Sequence, residues 1–237
     1  MSFKIITKAD LFKCLDRKRV HDNNSSLKNI QDGYAIDWLL DHLGTDGGKT
    51  VLEMGGGHSR VARRVAGWGH QVINADKFEG IGQGPKNLPQ DQPYEIVQTF
   101  LGDFSSELQE DSFDIIYSIS VVEHVPLSQL KNMMADAARL LKPGGKILHL
   151  IDTYIFDTLC EGQRYYSERG EAYLQPFPNL SLEDPEHIDR IDSFSAAFAT
   201  NSDVEMWRWT KKTEGNSKKW KEVAQSLSIA AVWEKFV

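Results

Sequence analysis

Hydrophobic and polar positions along the chain change period repeatedly, and each change marks an element. Lys49-Thr50-Val51-Leu52 is a short apolar strand. Val61, Ala62, Val65 and Ala66 then recur at helical spacing until Gly67 stops the run, with Ser59 placed to cap it. Gln71 to Asp76 reads as a second strand, Glu95 to Phe104 as a third, Phe113 to Ser120 as a fourth and Lys146 to Ile151 as a fifth. Between the last two, Leu130, Met133, Met134, Ala137, Leu140 and Leu141 form the buried face of a helix over 125–141, which Leu141-Lys142-Pro143-Gly144-Gly145 breaks. Strands alternating with helices predict an α/β domain with a parallel sheet.

The flanks have other patterns. Residues 1–48 predict a helical cap of two helices, around 9–19 and 27–43. The second carries a stripe of Ile30, Tyr34, Ile36, Trp38, Leu39, Leu40 and Leu43, and Gly44-Thr45-Asp46-Gly47-Gly48 punctuates. Residues 49–151 hold the five strands. Within them 77–94, with Gly80, Gly82, Gly84, Pro85, Pro89 and Pro93, leaves little room for a helix and predicts a mobile lid or an irregular excursion. Residues 152–203 are an insertion with Phe156, Tyr165, Tyr166 and Tyr173. Residues 204–237 predict strands at Val204–Thr210 and Ile229–Phe236 with a helix over Ser217–Ser226 between them.

Candidate chemistry begins at Glu53-Met54-Gly55-Gly56-Gly57-His58-Ser59-Arg60. Glycine at 55 and 57 lets a ligand touch backbone beside the unpaired N–H groups of a helix start. Two departures from G-x-G-x-x-G bear on which ligand. Arg60 stands at the third glycine position, which dinucleotide binders use to pack helix on strand beside a pyrophosphate, and Glu53 would repel a diphosphate. A ligand with a cationic end, such as the amino acid part of S-adenosylmethionine, suits that carboxylate. Asp76 follows 23 positions after Glu53, the spacing that sets an acid across the crevice to accept ribose hydroxyls. Asp103 can accept from an adenine amino group and Phe104 can cover a ring face, while Lys77 borders the adenosine.

From Val51 to Ile151 the chain resembles the class I S-adenosylmethionine-dependent methyltransferases, and within them the small-molecule branch that includes the quinone-biosynthesis enzymes. The resemblance rests on the E-x-G-x-G loop, Asp76, Gly102-Asp103-Phe104, Glu123-His124 and Leu141-Lys142-Pro143-Gly144-Gly145. It implies a Rossmann-like, seven-stranded doubly wound sheet with an antiparallel last strand, N-terminal helices and an insertion after the fifth strand. It further implies S-adenosyl-L-methionine as cofactor, bound by Glu53, Gly55, Gly57, His58, Asp76, Lys77, Asp103, Phe104 and Ser120, with the insertion closing over a small acceptor. Tyr34, Glu123 and Tyr154 are the candidate acceptor contacts.

The chain has 237 residues, 27 Lys plus Arg against 34 Asp plus Glu, and a net charge of −7, which opposes a general nucleic-acid or anionic-membrane binder. Trp207, Trp209 and Trp220 interleave with basic residues as in a nucleic-acid surface. Strand alternation, however, sets Arg208 opposite its flanking tryptophans. Cys14 and Cys160 are too few for a disulfide framework, no His/Cys spacing marks a zinc site, and Asp152 stands alone where an acidic metal cluster would lie, so no metal is expected. With no signal peptide and no apolar span, a cytoplasmic protein is expected.

Methyl transfer to an alcohol requires a base. His124, just past the fourth strand, has the right pKa class, and Asp152 at the end of the fifth strand is the second candidate. O-methylation of a small molecule is the reading that follows, with nitrogen and carbon acceptors open. A nicotinamide-dependent oxidoreductase and a tRNA or RNA methyltransferase are the alternatives.

Overall fold

The computed structural model describes residues 3–6, 8–19, 27–79, 85–156, 170–183 and 224–236. Its strands are β1 (Phe3–Ile5), β2 (Thr50–Met54), β3 (Gln71–Ala75), β4 (Glu95–Val97), β5 (Phe113–Ile119), β6 (Leu141–Phe156), β7 (Leu180–Leu182) and β8 (Ala224–Lys235). The helices are α1 (Lys8–Asp16), α2 (Leu27–Leu43), α3 (Arg60–Ala66) and α4 (Leu127–Leu140), with a 3₁₀ turn at Val122–His124.

One mixed sheet runs β1-β8-β6-β5-β2-β3-β4, and β7 also pairs with β8. Strands β6, β5, β2, β3 and β4 are parallel, and the central ones are covered on both faces and rich in apolar residues. Val51, Leu52, Ile115, Ile116, Ile147, Leu148 and Leu150 are all buried. From β2 the chain steps outward to β3, and from β5 it steps the other way to β6. Right-handed crossovers therefore send α3 and α4 to opposite faces, and the sheet reverses direction between β2 and β5. Strand β8 runs antiparallel to β6, as expected for the last strand, and its far edge takes β1 at Ile229–Ala231 and β7 at Trp233–Lys235.

Local chemistry explains most boundaries. Ser59 Oγ accepts from the Ala62 amide at 2.9 Å and starts α3 as its side chain predicted. Helix α4 begins later than its periodicity suggested because Pro126 holds extended backbone at φ −56°, ψ 136°, and the preceding residues close a 3₁₀ turn instead.

Several expectations are corrected. Among the described residues the sheet has eight strands rather than seven; β1, β4 and β7 are three residues long, and the two unexpected ones, β1 and β7, are too short to set up a period. Strand β4 ends at Val97, well before Phe104. Strand β6 extends through the helix-breaking segment, where four residues on β6 oppose one on β5 between Phe113↔Leu141 and Ile115↔Lys146. Pro143, Gly144 and Gly145 form that bulge, and Gly144 has a positive φ of 75°. Residues 224–226, assigned to a helix, are strand, because β8 pairs with β6 as far as Phe156↔Ala224. The expected strand Val204–Thr210 lies outside the described residues, as does most of the insertion.

Candidate active site

The carboxyl ends of β2 and β5 meet at the sheet's reversal, where open α/β sheets bind ligands. Glu53 closes β2 with its side chain buried, and Oε1 accepts from Ser59 Oγ at 2.8 Å. The Tyr117 hydroxyl lies close enough to favour the ionised form but makes no hydrogen bond of good geometry, so Oε2 is left without a partner. Burial is the largest influence and lifts the Glu53 pKa from 4.5 to about 7, against the Ser59 and Tyr117 hydroxyls and Lys28, which favour the charge.

Above this carboxyl lies the glycine loop. Gly55 and Gly57 have positive φ of 64° and 53°, and a Cβ on Gly55 would fall 2.8 Å from Val121 Cγ2. The neighbouring strand fixes the loop's shape. Asn74, fully buried on β3, accepts from the Gly56 amide at 3.1 Å and donates to the Gly57 carbonyl at 2.8 Å. Asp76, just past β3, accepts from the Gly57 amide at 2.9 Å through Oδ2 and from the Phe78 amide at 2.7 Å through Oδ1. Phe78, Phe104 and Ser120 hold positive φ of 55°, 52° and 53° in the turns that follow β3, β4 and β5. Such strain in non-glycine residues gathers at functional edges.

The carboxyl ends of β5 and β6 are polar. Gln31 of α2 donates to Asp152 Oδ1 at 2.6 Å and to Ser228 Oγ at 2.9 Å. Ser120 Oγ lies 2.8 Å from both Gln31 Oε1 and Asp152 Oδ1, and its single proton serves one at a time. Glu123, in the 3₁₀ turn, is buried with neither oxygen hydrogen-bonded. Desolvation first, and the Asp152 charge second, raise its pKa well above the usual carboxylate range. Lys28 Nζ donates to the Ile119 carbonyl at 3.1 Å and exerts a favourable field on both Glu53 and Glu123.

Residues 52–149 match the methyltransferase domain family. That stretch carries a methyltransferase domain. The chain is 28% identical over 125 residues to a demethylmenaquinone methyltransferase of Tropheryma whipplei, covering 53% of this chain and 51% of that protein. It is 33% identical over 135 residues to a ubiquinone biosynthesis O-methyltransferase of Coxiella burnetii, covering 51% and 57%. The chain thus spans about half the length of the curated relatives it matches. In fold it is similar to phosphoethanolamine N-methyltransferase 2 of Haemonchus contortus, with a TM-score of 0.51, 19% identity, and 94% and 57% of the two chains covered.

The carboxyl edge of the parallel strands gathers Glu53, Gly55, Gly57 and Asp76 about β2 and β3, and Ser120, Glu123 and Asp152 about β5 and β6. Other expected site residues lie further out. His58 is exposed and its Nε2 pairs with the Asn87 carbonyl at 2.9 Å. Lys77 Nζ sits 3.7 Å over the Phe100 ring, and Asp103 and Phe104 are both exposed. The His124 side chain is 67% exposed. Tyr34 lines a small cavity between α1 and α2 with Lys4, Asp10, Cys14 and Asp37, and burial together with those acids raises its pKa. Tyr154 lies on β6 opposite Ser226, and its side chain is outside the described part of the structure. Arg60 turns outward and pairs with Asp32. Among the described residues no group of three His, Cys, Asp or Glu is placed to hold a metal ion, and no helix is long and apolar enough to cross a membrane.

Sequence reasoning missed Asn74, Gln31, Lys28 and Asp136. The available signal was a polar residue inside an otherwise apolar strand, as Asn74 is between Ile73 and Ala75. Asp136 is 1% exposed on α4 and accepts from the Gly102 and Phe104 amides at 2.8 and 3.1 Å, which fixes the turn expected near adenine.

The raised Glu53 pKa has a pH signature. A cationic ligand requires the carboxylate, and the empty site holds the proton until about pH 7. Affinity for S-adenosylhomocysteine should therefore rise by up to about tenfold per pH unit below that point and level off above it. Fold stability runs the other way, since the folded carboxyl keeps a proton that the unfolded chain loses near 4.5; stability from this group falls between the two values and is flat above them. Calorimetry from about pH 5.5 to 8.5 checks the affinity slope, which Glu53→Gln should flatten.

Proposed function

We propose that this chain moves a methyl group from S-adenosylmethionine to a small-molecule acceptor, and that the methylated atom is oxygen. The observation that carries the reading is Glu53, a buried carboxyl with an unpaired oxygen beneath a glycine loop that no side chain could line. Glu53, Gly55 and Gly57 would hold the amino acid end of the donor. Asp76 would accept the ribose hydroxyls on the second lone pairs of its two oxygens. The Asp103-Phe104 turn would meet the base. When bound, the donor supplies a methyl group already activated on a sulfonium, so the protein's share is placement and exclusion of water.

An acceptor hydroxyl must lose its proton. Of the two expected bases Asp152 is the better supported, because Gln31 and Ser120 orient it beside a second buried carboxyl, whereas His124 faces largely outward. A dinucleotide fits poorly, since a diphosphate against the loop would face Glu53. The ubiquinone biosynthesis O-methyltransferase name among the relatives supports oxygen as the target.

Calorimetry of the full chain with S-adenosylmethionine, S-adenosylhomocysteine, NAD and NADP tests this reading; binding of the nicotinamide dinucleotides without the adenosyl sulfur ligands would reject it. Asp76→Ala should weaken S-adenosylhomocysteine by roughly 1.5 to 3 kcal/mol. Unchanged affinity removes Asp76 from the site.

A further inference from the structure

We infer that Glu123 and Asp152 form a subsite for a positively charged nitrogen carried by the acceptor; this rests on the methyltransferase reading and adds a substrate class to it. Glu123 has 9% side-chain exposure; the backbone amides of Glu123 and Asp152 lie close enough to favour its charge, but neither carboxyl oxygen receives a hydrogen bond of good geometry. A buried carboxyl in that state is costly unless a partner arrives.

The surrounding groups define that partner. Asp152 adds its negative field. His124 Nε2 lies 3.8 Å from Glu123 Oε1 on a side chain that is mostly outside. Lys28 lends favourable charge, but its ammonium is tied to the Ile119 carbonyl and shared among Glu123, Glu53 and Asp32. Asp32 has Arg60 as a second cation, and Glu53 faces the loop that would take the donor's own ammonium. Glu123 and Asp152 are left short of positive charge.

A metal ion is a poor match, because among the described residues no third ligand joins the pair. An alkylammonium is a good one. It brings up to three donors, which the free Glu123 oxygens, Asp152 and the Ser120 hydroxyl can accept, and it favours ionisation of both acids at once. Burial and the raised Glu123 pKa are consistent with a carboxyl that waits protonated and ionises when the cation enters.

The test uses the full chain saturated with S-adenosylhomocysteine, titrated calorimetrically with phenethylamine against phenethyl alcohol and with ethanolamine against ethylene glycol. In at least one pair the amine should bind about tenfold more tightly, and Glu123→Gln should bring that ratio close to one while S-adenosylhomocysteine affinity stays within about twofold. Asp152→Asn serves as the second variant should Glu123→Gln melt early. Equal binding in both pairs, or a preference that survives both substitutions, overturns the subsite. So does loss, in Glu123→Gln, of discrimination between S-adenosylmethionine and S-adenosylhomocysteine with the amine ratio untouched, because the carboxylate would then serve the donor's sulfur. Failure of S-adenosylhomocysteine to bind at all is read in the same cell and rejects the methyltransferase reading itself.

Discussion

Gly56→Ala should give a folded protein with S-adenosylhomocysteine affinity reduced by about a hundredfold or more, equivalent to roughly 3 kcal/mol. A Cβ at this position would lie 2.5 Å from Glu53 Oε2 and 2.8 Å from its Cγ. Glu53 cannot step aside, since it is 3% exposed and its other oxygen is held by Ser59. The loop must move instead, which strains the bond from the Gly56 amide to Asn74. Overpacking of this kind costs on the order of 1–3 kcal/mol, and here the displacement falls on the surface that would touch the ligand. Calorimetry with circular dichroism on the same sample checks it; binding within a few fold of the parent would mean that the loop is not the cradle.

Asp136→Ala should be the most damaging single change to stability, by about 3–5 kcal/mol. Its carboxylate receives four hydrogen bonds, from the Gly102 and Phe104 amides and from Arg139 Nε and Nη2 at 3.0 and 2.8 Å. Removal strands two backbone donors and leaves the guanidinium with only the Leu108 and Ser105 carbonyls and the exposed Glu110. At roughly 2–4 °C per kcal/mol for a chain of this size, melting should fall by about 10 °C. The Asp103-Phe104 turn would also lose its anchor, so weaker S-adenosylhomocysteine binding should accompany the drop. A melting point within about 2 °C of the parent would show that the turn holds itself.

The parallel half of the fold could be read from the chain because its central strands, β2 and β5, are buried on both faces and its helices have one apolar side. Val51-Leu52, Phe113 to Ile119 and the Leu130-Met133-Met134-Ala137 face are unambiguous for that reason. Three-residue pairings such as Phe3↔Ala231 and Leu182↔Trp233 come from tertiary contact with β8 and leave no period in the sequence. Residues 224–226 could be mistaken for helix because their strand state is imposed by the long partner β6. In the site, Glu53, the glycines and Asp76 are tied to turn geometry and stand out. Asn74, Gln31 and Asp136 act by reaching across from another element, which spacing along one segment does not encode.

Asn74 grips one loop residue by its amide and the next by its carbonyl, from a strand that is itself interior. Ordering of the cradle is thereby completed when the chain folds rather than when a guest arrives. Association should then proceed at a rate set by diffusion and electrostatics, with little backbone freezing in its calorimetric entropy, and amide exchange at Gly56 should be slow before any ligand is added.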